Sequence, residues 1–313
     1  MAKTIAPPTI LAVAIGKPAN SRIIKDMSQL TGVRPYINGL INYISQQTVP
    51  QSNPARKYTI GTDYIIDYQE CYEDDESFSG TPNLIFCMST PVVRKAMAFT
   101  ATIPIVGVAS EQTAEQFDKT ANICGVNAQR IQIARDYYDK FLATTIPALQ
   151  TIYVLHRVGN TASTKSLANI KKTALTAPLV ELDVTTAPGQ DMQTLIKGIP
   201  TGKGAGLLVL PVDLFFGSAT DINGWASSIS VPVFWPVRDW VGPAIGGYGV
   251  SQEPSGELMG KQVQYILEHP NQIPQGQDRW VTAPVSYRKW AASKAAAKSL
   301  NLKLAKHSAL DLL

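Results

Sequence analysis

The sequence predicts an α/β protein built as two doubly wound parallel sheets. Two observations carry this. Short apolar runs recur along the chain, for example at residues 9–15, 84–88, 152–155 and 206–210, and strands buried on both faces read this way. Between them lie segments with apolar residues at helical spacing. The β–α alternation runs through the chain twice, before and after Leu142. Such alternation gives parallel sheets with helices on both faces.

In the first series, residues 9–15 form a strand closed by Gly16, Lys17 and Pro18. Residues 35–46 place Tyr36, Ile37, Leu40, Ile41 and Ile44 on one helical face. Residues 47–57 are a polar loop and 58–68 a second strand, and the acidic stretch 70–80 is a solvated loop or helix face. Residues 83–96 are the most informative. Leu84 to Met88 read as a buried strand. Ser89 and Thr90 are N-cap residue types, and Pro91 suits the first helical position, where a missing N–H costs nothing. That puts a helix N-terminus at the carboxyl end of a strand, where free N–H groups and the dipole favour an anion. Capping alone explains the same residues. The helix runs to Thr100, strands follow at 102–108 and 122–127, and 130–142 is helical.

The second series has a strand at 151–156, a polar loop from Arg157 to Ser163 and a helix through Ala174. Strands at 179–184, 206–210, 231–235 and 246–250 alternate with helices at 191–197, 219–228 and 257–268. The tail reads as a strand at 281–287 and an Ala/Lys-rich helix from Lys289.

The 313 residues allow two domains or one large one. With 45% hydrophobic and 17% charged residues, the composition is that of an ordinary globular protein. A net charge of +4 without a Lys/Arg block does not point to nucleic acid. No apolar run approaches the ~20 residues of a membrane span. Pro7 and Pro8 interrupt the N-terminus, which does not read as a signal peptide. Cys71, Cys87 and Cys124 are the three cysteines. Their odd count and lack of a CxxC pair argue against a disulfide framework or a zinc site.

Catalytic motifs fail one by one. Residues 198–204, Gly-Ile-Pro-Thr-Gly-Lys-Gly, are one residue short of a phosphate loop, and Gly204 stands where Ser or Thr would bind magnesium. There is no G-x-S-x-G elbow and no HExxH. The chain therefore reads as a non-enzyme, with no cofactor and no metal. Ligands of doubly wound sheets bind outside the carboxyl ends of the strands. This selects the loops at Ser89–Thr90, Ser110–Glu111, 156–163, 213–216 and 235–239 as walls of one cleft.

Several stretches, in order, carry a resemblance. They are residues 86–91 (Phe-Cys-Met-Ser-Thr-Pro), 102–106 (Thr-Ile-Pro-Ile-Val), 122–126 (Asn-Ile-Cys-Gly-Val) and 152–155 with Asn160 and Ser163. Residues 207–211 with Asp213, 246–249 (Gly-Gly-Tyr-Gly) and 294–304 complete the series. In their order and spacing the chain resembles the substrate-binding proteins of ABC transporters, of the tryptophan or aromatic-amino-acid type with a type I periplasmic-binding fold. It departs at Glu111-Gln112, where the family often has Asp-Pro, and at 157–160, where the family's Asn-Pro is replaced. The resemblance implies two lobes joined by a three-crossing hinge, residues 1–126 with 246–279 and 127–245 with 280–313. It also implies a small ligand in the cleft, an ABC permease as partner and a periplasmic or extracytoplasmic location. The family's leader is absent from this chain, so a cytoplasmic location stays open.

Each candidate has two readings. Ser89 and Thr90 take a ligand carboxylate or only cap. Asp213 pairs with a ligand ammonium or starts a helix. Ser110 and Glu111 line the cleft or, for Glu111, stand in solvent. Asn160, Thr161 and Ser163 repeat the logic of Ser89 in the second lobe or only cap. Phe215, Trp235 and Tyr248 stack on a flat ligand or pack the core. The expected function is delivery to a permease of a small carboxylate-bearing ligand, with an amino acid, aromatic or not, as the first expectation. The alternative is a cytoplasmic ligand sensor of the same fold acting through a protein partner.

Overall fold

The computed structural model describes residues 6–15, 19–31, 33–50, 52, 54–71, 78–109, 116–129, 148–172, 177–184, 190–201, 204–236, 246–284, 288–304 and 310–312. The chain divides into two compact units, Met1–Ala128 with Gln252–Ala283 and Gln129–Ser251 with Pro284–Leu313. It passes from one to the other three times.

The first unit contains strands β1 (Thr9–Ile15), β2 (Ala19–Ile24), β3 (Ile65–Cys71), β4 (Leu84–Cys87), β5 (Ile105–Ala109), β6 (Ile123–Asn127) and β12 (Trp280–Thr282). They form one seven-stranded sheet in the order β12-β6-β5-β4-β1-β3-β2. Only the edge pair β2–β3 is antiparallel. The helices are α1 (Pro35–Gln46), α2 (Thr90–Phe99) and α7 (Gln252–Glu268). Successive strands are added on either side of β1, so the order reverses between β1 and β4. Ligands of open α/β sheets bind at such a reversal.

The apolar runs become the core. Leu11, Val13, Ile85 and Cys87 of the sheet pack on Val92, Val93 and Ala96 of α2. Val92 and Val93 are both fully buried, and burial of a valine side chain stabilises by about 1.5–3 kcal/mol. On α1, Tyr36, Ile37, Leu40, Ile41 and Ile44 are all buried. Helices α1 and α7 approach through glycine. A Cβ on Gly256 would lie 2.1 Å from the Tyr36 carbonyl oxygen, and one on Gly39 would lie 1.9 Å from that of Glu253.

The second unit repeats the plan with β7 (Thr151–His156), β8 (Leu179–Asp183), β9 (Ala205–Val209), β10 (Val233–Trp235), β11 (Gly246–Val250), β13 (Arg288–Ala292) and β14 (Leu310–Leu312). The order is β14-β13-β11-β10-β9-β7-β8, with β11–β13 antiparallel. Its helices are α3 (Thr161–Lys171), α4 (Gln190–Lys197), α5 (Asp213–Gly217), α6 (Ala219–Ser228) and α8 (Lys294–Ser299). Here the order reverses between β7 and β9.

The structure corrects several expectations. β11 belongs to the second unit, because it pairs with β10 and β13. β12 belongs to the first, because it pairs with β6. The expected boundaries at 246 and 280 therefore move to 252 and 284. The strand expected at 281–287 is two separate strands, one in each sheet. Lys289 lies in β13, and α8 starts only at Lys294, where the Ser293 hydroxyl oxygen accepts from the Ala296 N–H at 3.1 Å. Sheet pairing overrides local helix preference there. The second strand starts at Ile65 and not at Tyr58, because Asp63 holds a turn. Its carboxylate accepts from Thr59 N–H at 2.8 Å and from Arg56 twice at 2.6 Å. The helix expected at 130–142 lies outside the described residues. Among the described residues, no helix is long and apolar enough to cross a membrane.

Candidate functional site

The carboxyl end of β4 borders the reversal of the first sheet. β4 ends at Cys87 and α2 begins at Thr90, with Ser89 as the N-cap in extended backbone conformation, φ −162° and ψ 161°. The Ser89 carbonyl accepts from the Val93 N–H at 3.1 Å, which starts the helix. Pro91 follows at the second helical position, one later than the sequence suggests.

The Ser89 side chain does not do what a cap does. An N-cap hydroxyl normally accepts from a backbone N–H in the first turn, and Ser89 makes no such bond. It is only 5% exposed, and its Oγ has no hydrogen-bond partner among the described residues. A buried hydroxyl without a partner costs about 1–3 kcal/mol. Thr90, the next residue, is also buried. The pair therefore places a spare O–H donor at the positive end of a helix dipole, which is chemistry for a carboxylate or another small anion.

The corresponding loop of the second unit is differently made. Asn160 caps α3, its Oδ1 accepting from Ser163 N–H at 3.0 Å. The Ser163 hydroxyl oxygen accepts from the Arg157 N–H at 3.0 Å, and Ser163 is fully buried. Both side chains are engaged in holding the loop, so the capping reading describes them. Thr161 is the first helical residue and is half-buried. The Val158 N–H donates to Asp183 Oδ1 at 3.0 Å, which ties the loop to the end of β8. His156 closes β7 and is 4% exposed. Its Nε2 lies 3.5 Å from Glu181 Oε2 and its Nδ1 3.9 Å from Asp183 Oδ1. Burial lowers its pKa, Asp183 and Glu181 oppose that, and Lys171 acts with burial.

At the end of β9, Asp213 is the first residue of α5, and the cap position belongs to Val212. Phe215 and Trp235 are fully buried in the second unit's hydrophobic cluster. The Trp235 Nε1–H donates to Asn223 Oδ1 at 3.0 Å. Neither ring has surface to offer a ligand in this structure, so the core-packing reading describes them. Tyr248 is 5% exposed in β11. Ser110 and Glu111 lie outside the described residues. The structure thus puts Ser89 and Thr90 after β4, Asn160, Thr161 and Ser163 after β7, and Asp213 after β9. Among the described side chains of this set, only that of Ser89 leaves a buried polar atom without a partner. Asp183 and Asn223 escaped sequence reasoning. Asn223 carried a signal, a polar residue beside the buried Ile222 and Ala226 of α6.

The three cysteines are free and buried. Burial raises the Cys87 and Cys124 thiols well above their ordinary range, so neither is a ready nucleophile. Among the described residues, no group of three His, Cys, Asp or Glu side chains is placed to hold a metal ion.

The sequence matches no protein-family model and no curated protein. Solved structures do match over nearly the whole chain. A conserved domain protein from Vibrio cholerae superposes with TM-score 0.69 at 16% identity, over 97% of this chain and 99% of that one. The ABC domain from Streptococcus pneumoniae in complex with L-Trp gives 0.64 at 13%, over 95% and 96%. The ligand-free, open structure of a substrate-binding protein with adhesive properties from Clostridium difficile gives 0.55 at 17%, over 98% and 99%. At these identities the likeness establishes the fold, that of the type I periplasmic-binding proteins, to which solute-binding proteins of ABC transporters belong.

Proposed function

We propose that the chain is the solute-binding protein of an ABC import system. It binds a small carboxylate-bearing ligand at its strand-end loops and releases it to a membrane permease without chemistry. An amino acid is the first ligand class, and an aromatic one heads it, because L-Trp occupies the Streptococcus pneumoniae neighbour. The working location is extracytoplasmic, where an importer's ligand is captured.

One observation carries the ligand chemistry. The Ser89 hydroxyl is buried, caps nothing and has no partner among the described residues, at a helix N-terminus beside the reversal of the sheet. A ligand carboxylate accepts its O–H, supplies the missing bond and gains from the dipole. Thr90 contributes from the first helical position.

A thermal-shift screen of free amino acids against their primary amides tests this. A ligand at 100 times its Kd stabilises by about 2.7 kcal/mol, a clear rise in Tm. A free amino acid is expected to raise Tm and its amide is not. Equal shifts from acid and amide, or shifts only from carboxyl-free polyols, would remove the carboxylate reading.

A further inference from the structure

The first unit also holds a cavity of about 260 Å³ between α1, the second half of α7 and the segment leading into β12. None of the strand-end residues lines it. The volume lies just below the usual range for small-molecule pockets, so an occupant must be small.

Its walls are aromatic and acidic. Gly260 makes room for Tyr43, since a Cβ there would sit 3.0 Å from the Tyr43 Cβ and Cδ1. Tyr265 stacks on His269 with centroids 4.4 Å apart and planes 22° apart, which fixes its ring. Glu268 accepts from Gln264 Nε2 at 2.9 Å and from the Tyr58 hydroxyl at 3.3 Å. Lys261 lies 3.5 Å from Asp278, and both are well exposed. With Lys261 balanced by Asp278, the Glu268 carboxylate sets the sign of the cavity.

The floor is rigid. Gln262, 2% exposed, donates through Nε2 to the carbonyls of Gly125 at 3.0 Å and of Asp278 and Arg279 at 3.1 Å. Its Oε1 is buried and has no partner among the described residues. An aromatic wall, a carboxylate and a spare acceptor are the groups that receive a cation with N–H donors.

We propose that this cavity is a second ligand site, selective for a small organic ammonium ion. The ammonium faces Glu268 and the faces of Tyr43 and Tyr265. Gln262 ties the site to the middle of β6 and to the segment that enters β12, the strands that precede two of the three passages between the units.

Saturation-transfer NMR on the full chain carrying Ser89→Ala and Thr90→Ala, so that the strand-end loops do not hold a carboxylate, with benzylammonium and benzoate as probes, tests the proposal. Transfer to benzylammonium and none to benzoate is expected. Its affinity should fall about five-fold in Glu268→Gln and in Tyr265→Leu. Glu268→Gln keeps an acceptor for Tyr58 and Gln264, so folding is preserved. Equal transfer to benzoate would overturn the proposal, as would benzylammonium affinity unchanged in Glu268→Gln.

Discussion

Trp235 donates its indole N–H to Asn223 at 3.0 Å, and both side chains are buried. The bond joins the end of β10 to the middle of α6. An indole buried with its N–H satisfied is a fixed core element. Phe216 lies against it, with centroids 5.9 Å apart. Trp235→Phe keeps most of the packing and leaves Asn223 without its donor. The expected cost is about 1–3 kcal/mol in urea unfolding. The double variant Trp235→Phe with Asn223→Leu should recover part of it, because no buried amide is then orphaned. No recovery would show that the hydrogen bond is not what matters.

Gly256 sits where α7 touches the Tyr36 carbonyl of α1. A methyl group placed 2.1 Å from that oxygen must push the helices apart. Gly256→Ala is therefore expected to destabilise by about 1–3 kcal/mol, against its gain in helix propensity. Gly224, where nothing lies near an added Cβ, gives the control. Gly224→Ala in α6 should be neutral or slightly stabilising. A higher Tm in Gly256→Ala would contradict the close-packed description.

His156 predicts a pH dependence. Its folded-state pKa is lowered, first by burial. As pH falls through about 6.5 the unfolded chain takes up the proton before the folded one does. Stability is thus present above about 6.5 and declines below it, levelling off once the folded imidazole is also protonated. Urea midpoints at about pH 7.5 and 5.5 should differ less in His156→Gln than in the wild type. The same drop in both would clear His156 of the effect.

Much of the fold was legible because burial on both faces writes strands as apolar runs. Leu84–Cys87 and Ala205–Val209 are almost wholly buried and were readable for that reason. The edge strand Ala19–Ile24 carries polar residues and was not readable. The tail misled because Arg288–Ala292 is helix-like in composition but is held as a strand by β11. At the site, the sequence showed the N-cap types at Ser89 and Asn160 equally well. The structure separates them, since the Asn160 oxygen accepts from Ser163 whereas the Ser89 hydroxyl has no partner among the described residues. Trp235 stood at a strand end and suggested stacking. The residue that satisfies it, Asn223, is 12 positions away on a helix.

The central claim is that Ser89 and Thr90 hold a ligand carboxylate. Calorimetric titration of the best amino acid from the screen, into wild type and into Ser89→Ala with Thr90→Ala, tests it most directly. The predicted result is affinity more than about ten-fold weaker in the double variant, with an unliganded Tm no lower than the wild type's beyond a few degrees, since an orphaned hydroxyl is removed. An unchanged Kd in the double variant would contradict the account.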